Sequence, residues 1–121
     1  MATRSNIGIR ENDGTISTIY CHNDGYPQHV GRILLADYTS ETAVRELLAL
    51  GDISTLGDTT LSTYAYHRDR GEAKADPIVY EPGAFEQEHD YAYVWDIAGE
   101  RWLWWDENAL KPLTQEDVVM F

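Results

Sequence analysis

The chain has 121 residues, 43% of them hydrophobic, and a formal net charge of −12. That length bounds one domain over residues 1–121, and the apolar content is enough for a core without any run long enough to span a membrane. A polar start, Met1–Asn6, leads to the expectation of no secretory signal, and the single Cys21, which excludes an internal disulfide, fits a reducing bacterial cytoplasm.

The charge is uneven. Residues 1–71 carry 9 acidic and 6 basic side chains, whereas residues 72–121 carry 12 and 3. A surface this negative repels phosphate backbones, so direct nucleic-acid binding is not expected, and the surface can instead face a basic protein surface. Solubility alone is the plainer account of the same charge.

In chain order, Asn6–Arg10 alternates as a half-buried strand, and Asn12-Asp13-Gly14 predicts a hairpin with a primed turn. Thr15–His22 alternates β-branched residues as a second strand. Asn23-Asp24-Gly25-Tyr26-Pro27 is a turn, with Gly25 suited to positive φ and Pro27 to the first helical position. Val30, Ile33, Leu34 and Tyr38 mark one face of a first helix, in which Gly31 permits a close backbone approach. A second helix is capped by Thr39 or Ser40, buries Val44, Leu47 and Leu48, and stops at Gly51. Residues 52–57 read as a tight connector, and Thr59–His67 as a third strand leading into His67–Glu72.

Residues 73–89 are acidic and loop-like, with brief pairing at Ile78–Tyr80. Tyr91–Ile97 and Arg101–Trp105 form an aromatic hairpin around Ala98-Gly99-Glu100, and Thr114 caps a last short helix holding Val118, Val119 and Phe121. The order β-β-α-α-β-β-β predicts an α+β fold: an antiparallel sheet of about five strands with two helices packed on one face.

Chemistry concentrates in two stretches. Tyr20, His22, Asp24 and Tyr26 gather at a strand-to-helix junction, with Arg32 on the helix beyond. In Tyr66-His67-Arg68-Asp69-Arg70, an extended backbone would aim Arg68 and Arg70 at one anion and leave Asp69 to face Arg32. Such a pocket suits a nucleotide; the alternative is a lattice of ion pairs with neighbouring carboxylates. Cys21 and His22 point to opposite sides of a strand, and no metal-ligand spacing is present, so neither a metal nor another cofactor is expected. No nucleophile elbow or phosphate loop is present, so the chain reads as a non-enzyme.

The Ile19–Leu35 stretch, the Leu47–Gly57 segment and the Ala65–Glu72 segment resemble a family of small proteins from bacteriophages and other mobile elements. That family shares a Tyr-x-His-x-Asp-Gly-Tyr-Pro core, a His-Arg-Asp-Arg-Gly-Glu block and a closing aromatic hairpin; at Asn23 its members often carry an aromatic residue. The resemblance covers most of the chain and supplies a setting rather than a mechanism. In that setting the acidic surface implies an inhibitor that occupies a basic, nucleic-acid-binding surface of a host defence effector, of the anti-CRISPR or anti-restriction type. The alternative is a sponge that sequesters a nucleotide signal between the Asp24–Pro27 turn and the His67–Glu72 block. Glu86, Glu88, Asp90, Asp106 and Glu107, with Trp95, Trp102 and Trp104, form the candidate partner surface, through which a homodimer could also assemble. The other account of the hairpin is that residues 73–89 cover its second face.

Overall fold

The computed structural model describes residues 2–119. Its frame is one mixed sheet. β1 (Ser5–Arg10) pairs antiparallel with β2 (Ile16–Cys21) on one side and parallel with β6 (Tyr91–Asp96) on the other. β7 (Arg101–Asp106) and β8 (Ala109–Pro112) extend the sheet antiparallel beyond β6. The other edge of β2 is shared. β3 (Ile53–Thr55) runs parallel to it near Cys21, β4 (Tyr64–Ala65) pairs with β3, and β5 (Ile78–Tyr80) pairs antiparallel with Ile16–Thr18.

The fold thus has the expected mixture of sheet and helix, but the sheet has eight strands, not about five, and is mixed rather than antiparallel. The physical reason is the helical crossover between β2 and β3, which returns the chain in the same direction, together with the late arrival of β6 on the free edge of β1. Residues 52–57, expected as a connector, supply β3.

Local chemistry explains most element ends. Gly14 alone takes positive φ in the first hairpin (92°), with Glu11 N–H donating to the Thr15 carbonyl at 2.8 Å. The loop is therefore a turn followed by a glycine bulge, not the expected primed two-residue turn. A five-residue π-turn, Pro27–Gly31, leads into α1 (Arg32–Asp37), and Val30, Ile33, Leu34 and Tyr38 are all buried. Ser40 Oγ caps α2 (Glu41–Leu48) by accepting the Ala43 N–H at 3.2 Å, and Gly51 takes positive φ three residues past its end. Thr114 and Asp117 form a reciprocal capping box at the turn Gln115–Val118. Val118 is buried there and Val119 is exposed; Phe121 lies outside the described residues.

The main core lies between the sheet and α1–α2. Ile7, Ile9, Ile19, Cys21, Tyr93, Trp95 and Trp102 face Val30, Leu34, Val44 and Leu47. Gly31 admits Val118 close to its backbone, since a Cβ there would stand 3.1 Å from Val118 Cγ1. On the opposite face a smaller cluster joins Ile16, Ala92 and Val94 to Phe85, which comes from the long connector before β6. Among the described residues no helix is long and apolar enough to cross a membrane.

Candidate functional site

The end of β2 is held open as a strand past its last ladder residue. Tyr20 N–H donates to the Asp52 carboxylate at 3.0 Å, His22 N–H to the Ile53 carbonyl at 3.1 Å, and Asn23 N–H to the Ser54 carbonyl at 2.9 Å. Being two apart, Tyr20 and His22 share a side of the strand, and the Tyr20 hydroxyl lies 2.6 Å from His22 Nδ1. Burial raises the Tyr20 hydroxyl above its ordinary range. The ring of His89 packs against Tyr20 with centroids 5.0 Å apart.

The turn that follows works differently from expectation. Asp24, not Gly25, takes positive φ (56°). Gly25 is required for space instead: a Cβ would fall 2.7 Å from Ser5 Cβ, its N–H donates to the Thr3 carbonyl, and its carbonyl accepts the Tyr93 hydroxyl at 2.7 Å. Asp24 is exposed, Tyr26 packs near His29, and Arg32 donates to the Gln28 carbonyl; none of the three joins the Tyr20–His22 pair.

The Tyr66–Arg70 segment is a short helix, α3, not the end of a strand. Only Tyr64–Ala65 of the expected third strand pairs, because the Ser and Thr side chains of Thr59–Thr63 close a turn on themselves. Asp69 Oδ2 accepts the Ala65 N–H at 2.8 Å, which secures the start of α3, and Gly71 ends it at φ 70°. On a helix, residues two apart do not share a face, so Arg68 and Arg70 cannot converge on one anion. Arg68 instead grips Asp69 and donates to the carbonyls of Thr60 and Thr63. Arg70 pairs with Glu72 at 2.8 Å and covers the Tyr66 ring, while His67 Nδ1 meets the Glu72 carbonyl. Asp69 pairs with its neighbour Arg68, not with Arg32. The Arg68 guanidinium and the Ala65 N–H hold the Asp69 carboxyl below the ordinary aspartate range. The hollow beside this block, between Asp52, Tyr66, Glu72 and Lys74, measures about 90 Å³. Ligand clefts usually run to about 300–1,000 Å³, so this hollow is small beside them.

The acidic candidates gather more closely. Ser5 pairs with both Cys21 and Tyr91, and Tyr93 lies opposite Trp104, so the Asp24 turn, the Glu88–Asp90 segment and the Asp106–Glu107 turn all lie at one end of the sheet. Glu86, Glu88, Asp90 and Glu107 are exposed, and Asp106 pairs with Lys111 at 3.4 Å. The Asp90 carboxylate accepts the Arg4 N–H at 3.0 Å, and Glu88 accepts the Tyr80 hydroxyl at 2.7 Å. Burial and that carboxylate raise the Tyr80 hydroxyl, in this order of weight. A cleft of about 480 Å³ opens here between Ala2, Arg4, Glu88, His89 and Asp90.

Comparison of the chain with protein-family models, with curated proteins and with solved structures finds no match.

Two tryptophans leave the candidate surface. Trp95 and Trp102 are 4% and 2% exposed, stacked edge-on beneath the helices, so neither meets a partner in the folded chain. Trp104 is half-buried and packs against the same core. The opposite side of the hairpin is covered by the 73–89 connector, whose Phe85 meets Tyr80 and Trp105 edge-on at 4.9 and 5.6 Å. Arg4 and His89 were not legible as site residues, because only the β1–β6 pairing brings them to Tyr20. Cys21 is buried beneath the helices, and burial pushes its thiol up to about 11, which leaves it a poor nucleophile at neutral pH.

Proposed function

We propose that this chain is a docking protein of a phage or mobile element that covers a basic, nucleic-acid-binding surface of a host defence effector in the bacterial cytoplasm. One observation carries the reading. Of the 21 aspartate and glutamate side chains, six are ion-paired among the described residues, which leaves 15 without a cation partner. The nine cations do not offset them, because Arg10, Arg45, Arg68, Arg70 and Lys111 are each already tied to a carboxylate. The free negative charge includes Glu86, Glu88, Asp90 and Glu107, on the connector and the sheet end.

A field of one sign raises the rate of encounter with an opposite surface and falls off over about 8–10 Å in physiological salt. Resemblance to phage and mobile-element proteins supplies the class of partner. The nucleotide-sponge alternative has lost its central support, since its two arginines are bound to Asp69 and Glu72.

The test is displacement. Purified nucleic-acid-binding defence effectors, each holding a fluorescent duplex, are titrated with the chain and followed by anisotropy at low and high salt. The reading expects release of duplex from at least one effector, weaker at high salt. Glu86→Gln with Glu88→Gln and Asp90→Asn, which keeps hydrogen-bond acceptors while removing charge, should weaken release at least tenfold. A chain that leaves the duplex bound throughout at low salt would end the proposal.

A further inference from the structure

Backbone groups along β2 alternate between its two neighbours. Tyr20 and His22 direct their N–H groups away from β1, toward Asp52 and Ile53. By the same alternation Ile16 and Thr18 turn theirs toward β5, where they lie opposite Tyr80 and Ile78. Ile78 and Tyr80 thus pair inward with β2, and the intervening Val79 directs its N–H and C=O outward. Among the described residues β5 pairs with β2 alone. Exposed strand edges are usually blunted by a lysine, a proline or a bulge. Ile78–Tyr80 has none of these within it, although at three residues it is itself short, and Pro77 precedes it.

The edge is also apolar where its surroundings are not. Val79 is 60% exposed and Ile78 46%, on opposite faces of the sheet, within a connector whose other exposed residues are polar, alanine, glycine or proline. Asp76 and Glu81 flank the strand, exposed and in no ion pair among the described residues. A free backbone edge, two apolar side chains and a carboxylate at each end form one pattern.

We propose that β5 accepts an extended basic segment of the partner protein as an added strand, with Val79 making the main-chain bonds and Asp76 and Glu81 pairing lysine or arginine side chains. The inference rests on the docking function above and gives it a geometry. A second copy of this chain is a poor occupant, because each copy carries a net charge of −12.

The experiment uses the full chain, labelled with ¹⁵N, and three capped decapeptides. One alternates lysine with valine, a second is the same peptide with alternate backbone nitrogens methylated, and a third replaces lysine by glutamate. The lysine peptide should slow exchange of the Val79 amide at least tenfold, and backbone methylation should weaken binding at least tenfold at constant charge. The glutamate peptide should not bind. Val79→Pro removes the outward N–H while keeping an apolar side chain, a substitution that edge strands tolerate, and should weaken the lysine peptide tenfold as well. Equal binding of the plain and methylated lysine peptides would overturn strand addition while leaving electrostatic docking in place. Failure of the plain lysine peptide to bind the unaltered chain at low salt would likewise overturn strand addition, whereas the docking function stands or falls on the duplex displacement above.

Discussion

The two faces of the sheet are closed by different means. Beneath α1 and α2, large side chains are buried, and the polar atoms of Trp102 and Tyr93 are tied to specific backbone groups, whereas Trp95 Nε1 is buried without a hydrogen-bond partner among the described residues. Trp102 Nε1 donates to the Tyr38 carbonyl at 2.8 Å and the Tyr93 hydroxyl to the Gly25 carbonyl at 2.7 Å. The opposite face is covered by one aromatic wedge, Phe85, carried on a connector that is exposed along most of its length. Stability is therefore concentrated on the first face, and the second leaves its carboxylates and a strand edge free to meet something else.

Trp102→Ala should separate the two most sharply. It removes a fully buried indole and its hydrogen bond, for an expected loss of about 4 kcal/mol in urea unfolding; a loss near 1 kcal/mol would mean that the helix-covered face is not the principal core. Phe85→Ala should cost about 2 kcal/mol, below the usual range for a core phenylalanine, because its cluster is small. Limited proteolysis should then cut within residues 73–89 while amides of β6 and β7 stay protected. Destabilisation equal to that of Trp102→Ala would erase the distinction.

The smallest effect concerns Asp69. Its carboxyl titrates lower in the folded chain than the unfolded value of about 3.9. Its contribution to α3 is therefore complete above that value and disappears as pH falls through the lower folded one. An NMR titration should show the Asp69 carboxyl carbon shifting with a midpoint below about 3.9; a midpoint at or above it would remove the Arg68 and Ala65 contacts from the account of α3.

How much of this was legible in the sequence follows the distance between partners. Ser40, Gly51, Thr114 and the buried stripe of the first helix were readable because a cap, a stop or a helical period is decided within a few residues. Tyr20 and His22 were readable as neighbours for the same reason. The parallel pairing of β1 with β6 was not, since nothing near Ser5 specifies Tyr91 as its partner. Arg4 and His89 were missed with it. The His67–Glu72 block failed for a local reason: alternating Thr and Tyr residues suggested a strand, while Asp69 below Ala65 and Gly71 after a basic turn are the marks of a short helix.

The pairing of β1 with β6 also bears on how the chain is made. Arg4 and Asp90, which meet at the start of these strands, are 86 residues apart. At roughly 5–20 residues per second of synthesis, β1 waits about 4–17 s on the ribosome before its second neighbour exists. During that interval Ile7 and Ile9 sit on an open strand edge, and the nascent chain depends on the β1–β2 hairpin and the two helices to keep that edge from pairing elsewhere.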